Sequence, residues 1–120
     1  MPVVTLRGLI SAVALLGLLS FMPAYAAEVS WLVGKWEMTQ DPDGNDKDWM
    51  EFTPEGQATS IAPSGRRVPG RYEVTDNEVR IVYTVNGRTI PITLKYSADR
   101  KRLLAYSKRT GNTSVYEKVR

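Results

Sequence analysis

The chain is short, 120 residues, with 16 Lys and Arg against 13 Asp and Glu, no cysteine and no histidine. That composition excludes disulfide staples, thiol nucleophiles, serine–histidine triads and histidine-ligated zinc, so core packing and strand pairing must supply the stability. The length allows one small domain.

Arg7 is the only charge before Glu28, and the apolar stretch Leu9 to Met22 is broken by Pro23. Ala24-Tyr25-Ala26 then presents the small-x-small pattern that signal peptidase reads. Residues 1–26 are therefore expected to be a secretory signal peptide, cleaved before Ala27. The apolar run is short for a membrane span of ~20 residues, and an uncleaved N-terminal anchor is the alternative. The working domain is then 27–120, periplasmic or secreted, with no stable membrane insertion after cleavage. Without cysteine it carries no lipid-attachment residue.

From Trp31 onward, turn signals recur about every ten residues, and the runs between them alternate apolar and polar, the pattern of an all-β meander. Glu28 to Val33 has room for one helical turn before the first strand. Strands are expected at Val33–Thr39, Asp48–Thr53, Gln57–Ala62, Arg67–Val74, Glu78–Val85, Arg88–Tyr96, Arg102–Lys108 and Ser114–Val119. The connections carry ordinary turn chemistry: Pro54-Glu55-Gly56, Pro63-Ser64-Gly65, Asp76-Asn77 and Thr110-Gly111-Asn112. Asn86-Gly87 is the strongest local signal, because a two-residue type I′ hairpin needs positive φ at both positions. Pro69 and Gly70 mark a bulge or an edge in the fourth strand.

Alternation assigns the faces. Trp36 and Met38 point inward on the first strand and Tyr72 and Val74 on the fourth. Val79, Ile81, Tyr83 and Val85 share one face of the fifth, and Ile90, Ile92, Leu94 and Tyr96 one face of the sixth. One buried and one wetted face is the antiparallel pattern. The fold class is thus all-β, an eight-stranded antiparallel up-and-down barrel or flattened barrel, with closure favoured because it abolishes edges. Trp31 is placed as a cap at one end of the barrel, and Trp49 in the core or at a rim.

Gly34-Lys35-Trp36 opens the first strand, and Val115 to Arg120 forms the last. In these residues the chain resembles the lipocalin-like (calycin) superfamily, whose first strand opens with Gly-x-Trp. Phe52-Thr53-Pro54-Glu55-Gly56 and Gly70-Arg71-Tyr72 are similar to motifs of small bacterial lipocalin-like domains. The resemblance implies that Trp36 plugs one end of the barrel and that Lys118 or Arg120 packs over its ring. Gly34, Trp36 and Lys118 form the structural plug on that reading. The chain departs from classical lipocalins in being shorter and in lacking the disulfide and the C-terminal helix.

The function expected from these features is non-catalytic binding, not an enzyme and without a cofactor. The interior would take a small apolar or amphiphilic molecule against a wall that includes Tyr72, Ile81, Tyr83, Ile92, Tyr96 and Tyr106. The alternative is a periplasmic protein-binding module, of inhibitor or immunity type, that meets an exported protein through charged rim loops. Glu28 to Glu55 holds eight acids against Lys35 and Lys47, whereas Gly56 to Arg120 holds thirteen bases against five acids. Arg66, Arg67 and Arg71, beside the Pro63-Ser64-Gly65 turn, are the candidate partner contacts. Nucleic acid is not expected as a partner, since aromatic stacking platforms do not interleave with the bases. The segment Asp41 to Asp48 partly resembles a calcium loop. It has Asp where the sharp turn needs Gly and Phe52 where the bidentate Glu belongs, so it is read as an acidic hairpin loop with no metal.

Overall fold

The computed structural model describes residues 28–120, and the expected signal peptide with its cleavage site lies outside the described residues. Eight antiparallel strands follow one another around a closed up-and-down barrel. They are β1 (Gly34–Gln40), β2 (Trp49–Phe52), β3 (Gln57–Ile61), β4 (Arg67–Val74), β5 (Glu78–Val85), β6 (Arg88–Tyr96), β7 (Arg102–Tyr106) and β8 (Thr113–Lys118). Closure is made by β1 on β8, with Trp36 opposite Lys118 and Met38 opposite Tyr116, and an irregularity between Met38 and Gln40. Among the described residues no helix is long and apolar enough to cross a membrane.

The inward positions fill the barrel. Trp36, Met38, Met50, Phe52, Ala58, Tyr72, Val79, Ile81, Tyr83, Leu94, Leu103 and Tyr116 are all buried in one cluster, joined by Leu32 from the lead-in. Side chains from every strand thus meet in the middle, large ones from all but β3, which supplies Ala58. At Gly70 the neighbouring wall leaves no room for a side chain. An added Cβ would stand 2.7 Å from both Tyr83 Cδ1 and the Val82 carbonyl oxygen. The Tyr83 ring therefore packs directly onto the backbone of β4.

Up-and-down order puts the loops at two ends. One end carries the lead-in and the turns after β2, β4 and β6. A single turn, closed by the Val33 N–H on the Val29 carbonyl at 3.2 Å, lays Val29 and Leu32 over the barrel mouth, both buried. The other end carries the acidic loop after β1 and the turns after β3, β5 and β7. The turn after β5 has Asn86 at φ 50° and Gly87 at φ 75°, the two positive values of a type I′ hairpin.

The wall is uneven. β5 and β6 pair along their whole length, from Glu78↔Lys95 to Val85↔Arg88. On one flank, β4 joins β5 only from Gly70↔Tyr83 to Val74↔Val79. On the other, β6 meets β7 only at Lys95↔Leu104 and Tyr96↔Leu103. The distal part of the β5–β6 hairpin thus leaves the wall on both sides as an arm. A proline faces each opening: Pro69 is next to the last β4–β5 pair, and Pro91 lies four residues beyond the last β6–β7 pair, Lys95↔Leu104. The Tyr72 N–H bonds toward β3, on the Gly56 carbonyl at 2.9 Å, so the odd positions of β4, Pro69 among them, face β5. The Ser97 N–H bonds toward β7, on the Arg102 carbonyl at 3.1 Å, so the odd positions of β6, Pro91 among them, face β7. Neither proline has an N–H to offer the strand it faces.

Candidate functional site

The plugged end is built from the first strand outward. Trp36 is wholly buried, and its Nε1–H donates to the Leu32 carbonyl at 2.8 Å. The Lys118 ammonium stands 6.0 Å from the Trp36 ring centre and donates to the Trp31 carbonyl at 2.9 Å. Gly34, at φ +129°, lies against that lysine: a Cβ there would come within 2.9 Å of Lys118 Cε. Trp31 is half-buried, edge-on to Trp36 with ring centres 6.4 Å apart and 4.9 Å from the Tyr96 ring. The Arg100 guanidinium stands 5.5 Å from the Trp31 ring centre. Around Trp31, Tyr96 and Arg100 lies a hollow of about 480 Å³, also bounded by Glu28 and Asp76.

The expected ligand wall divides into three groups. Ile81 and Tyr83 are buried among other core side chains. Tyr72 and Tyr96 pin loops: the Tyr72 hydroxyl donates to the Thr53 carbonyl at 2.6 Å and the Tyr96 hydroxyl to the Thr75 carbonyl at 2.7 Å. Ile92 and Tyr106 are exposed. Ile92 has the inward parity of Ile81, which it faces across the β5–β6 ladder, yet it is 37% exposed, and Ile90 next along is 45% exposed. β7 ends before it can cover them. Tyr106 points outward, because Leu103 and Ala105 hold the inward positions of β7, and it is 64% exposed. The expectation that these residues line one interior wall is corrected on that ground.

The gap between β6 and β7 forms a groove of about 750 Å³ on the outside of the barrel. Pro91, Thr93 and Lys95 bound it on the β6 side, and Leu104, Tyr106 and Lys108 on the β7 side. Ile92 and Ala105 are reached through the gap, and Thr113 completes the rim. Its size lies in the ~300–1,000 Å³ range of small-molecule sites. Alternation alone marks Ile90 and Ile92 as core. The signal that could have found the groove is Pro91 facing a shorter seventh strand.

A polar group sits inside the opposite end. The Tyr116 hydroxyl donates to Asp48 Oδ1 at 2.6 Å. Burial pushes the Asp48 carboxyl above its ordinary range, against the Tyr116 hydrogen bond, and the charge of Asp41 adds to the push. Burial and the Asp48 charge also push the Tyr83 hydroxyl up, and among the described residues that enclosed hydroxyl has no hydrogen-bond partner.

The acidic loop is tied into the fold. Asp41 accepts from the Asp43 and Asn45 N–H groups at 3.1 and 2.8 Å and from Ser114 Oγ at 3.2 Å. Asp43 accepts from Thr110 Oγ1 at 2.9 Å and Asn112 Nδ2 at 2.7 Å. Its carboxylates thus hold the turn after β7. Among the described residues no three ligating side chains converge as a metal site would require.

The bases do not gather at one rim. Arg66, Arg88, Lys108 and Arg109 stand at the acidic-loop end, and Arg100, Lys101 and Lys118 at the plugged end. Arg66, Arg67 and Arg71 are all exposed. Arg67 is engaged by Glu51. Arg71 lies on the outer wall beside Pro69, Gly70 and Thr84, at a hollow of about 310 Å³. Trp49 is also on the outer face, because it pairs with Glu37 rather than with an inward residue, and the Lys35 ammonium stands 5.6 Å from its ring.

No protein-family model, no curated protein and no solved structure matches this chain.

Proposed function

We propose that this chain is a non-catalytic, exported binding protein of lipocalin-like build, and that its small apolar or amphiphilic ligand is held in the groove between β6 and β7. One observation carries this reading. The barrel interior is filled by its own side chains, while the β6–β7 gap leaves Ile92, Leu104 and Tyr106 lining a mostly apolar groove of about 750 Å³. The lipocalin-like assignment rests on the closed up-and-down barrel together with Trp36 buried beneath Lys118 and beside Gly34. Periplasmic or secreted placement rests on the signal-peptide pattern of residues 1–26.

The test is titration with a naphthylamine dye that fluoresces in apolar surroundings. Saturable binding is expected, and Ile92→Glu should weaken it about tenfold, since a carboxylate in an apolar groove must be desolvated. Absence of saturable binding overturns the reading, as does binding indifferent to Ile92→Glu.

A protein partner is the second reading. It is favoured by Arg66 and Arg71, exposed and without a carboxylate within ion-pair distance among the described residues. Under it, the Arg66→Glu, Arg71→Glu double variant folds normally but loses a salt-sensitive partner in pull-down from an exported-protein extract.

A further inference from the structure

The groove has two kinds of wall, and together they select its occupant. The backbone edge of β6 offers little. Thr89, Pro91 and Thr93 face the gap, and Pro91, at the centre, has no N–H to give. A guest strand would find its ladder interrupted there, so the grip must come from side chains.

Those side chains are apolar in the middle and cationic at both ends. Lys95 stands where the β6–β7 ladder resumes, opposite Leu104. Lys108 follows the end of β7, level with Pro91 if the register is continued. Four residues of strand separate the two levels, about 13 Å at ~3.3 Å per residue, the reach of a medium-length alkyl chain. Both lysines are exposed, and among the described residues neither has a carboxylate within ion-pair distance. Glu78 faces Lys95 across the β5–β6 ladder, but its carboxylate is drawn to Arg80 at 3.4 Å.

Resting on the groove reading above, we infer that the ligand is a single-chain amphiphile with an anionic head, such as a medium-chain fatty carboxylate. Its alkyl chain lies over Ile92 and Leu104 between β6 and β7, and its head meets Lys95 or Lys108. With one ammonium at each end, a head is met whichever way the chain lies. Tyr106 and Leu104 shield the chain from water along the β7 side.

The experiment compares four probes on the folded chain, below their micelle concentrations: dodecanoate, dodecanol, dodecyltrimethylammonium and acetate. Calorimetry or displacement of the naphthylamine dye gives the affinities. Dodecanoate is expected to bind on the order of tenfold tighter than dodecanol, and the cation weakest, with acetate not binding. In the Lys95→Gln, Lys108→Gln double variant the preference for carboxylate over alcohol should vanish while dodecanol binding is kept. The Lys95→Arg, Lys108→Arg variant should restore the preference. Equal binding of carboxylate and alcohol by the unaltered protein overturns the anionic head but leaves the groove reading standing. Acetate binding as well as dodecanoate overturns the alkyl contact. If no alkyl probe binds, the groove reading itself falls.

Discussion

The plugged end and the β6–β7 seam are made from the same kind of apolar residue and end in opposite states. At the plug, Trp36 is enclosed by Leu32, Trp31 and Lys118; its indole N–H donates to the Leu32 carbonyl, and the Lys118 ammonium donates to the Trp31 carbonyl. Tyr72 and Tyr96 add two more such ties from the wall to the turns around that mouth. At the seam, Ile90 and Ile92 have the inward parity of core residues, but the strand that should cover them ends early. Burial in a barrel is thus decided by the length of the neighbouring strand as much as by the face a residue occupies. Rigid enclosure is concentrated at one end, and exposed apolar surface at the other.

Substitutions can break or sharpen that contrast. The largest loss is expected for Trp36→Ala, about 3–5 kcal/mol, measured by denaturant unfolding. For a domain of this size that is a large share of the total. A loss below ~1 kcal/mol would show the plug to be dispensable. Gly70→Ala comes next, at about 1–3 kcal/mol, because its Cβ must displace the Tyr83 ring and the β5 backbone. Equal unfolding midpoints for variant and parent would mean that β4 and β5 separate freely there, extending the arm past Gly70. Ile92→Ala should cost under ~1 kcal/mol, since the side chain is already partly in water. A loss as large as that of Trp36→Ala would mean that the seam is closed in solution.

The smallest effect concerns pH. The Asp48 carboxyl is raised above its ordinary value of 3.8 by burial, so folding favours its protonated form. Its contribution is most favourable below that ordinary value and is lost as pH rises through the raised folded value. Asp48→Asn keeps an acceptor for the Tyr116 hydroxyl and removes the titration. Between about pH 4 and pH 7, unfolding midpoints of the variant should therefore fall less, or rise more, than those of the parent. Parallel curves for the two proteins would rule out that linkage.

The sequence exposed the barrel more fully than the groove. Period-two alternation placed Val79, Ile81 and Tyr83 inside because both flanking ladders cover them. Asn86-Gly87 identified its hairpin because only a turn with two positive φ values accounts for that pair. The same alternation misled at Ile90 and Ile92, where the face is right but the cover is missing. Tyr106 as an inward residue and the core alternative for Trp49 fail for another reason: the parity of a short strand depends on its register with the next one, which a single sequence does not contain. The expected seventh strand reached Lys108, but the turn closed by Gly111 on Ser107 begins earlier and leaves the gap. Lys95 and Lys108 carried no local signal at all, since they share a groove only through the β6–β7 register.

The ladder between β1 and β8 has one more consequence, for the order of assembly. Seven of the eight ladders join strands adjacent in the chain, and each can zip from its own turn. The eighth brings Lys35 to Val119, where the Val119 N–H donates to the Lys35 carbonyl at 2.8 Å. Nearly the whole described chain is the loop that this contact closes, so its entropic cost is the highest in the molecule and is recovered only when the other strands already curve toward each other. Until Thr113 to Lys118 arrives, the sheet is an open ribbon with two raw edges. The last strand is therefore the latch that turns a ribbon into a ring.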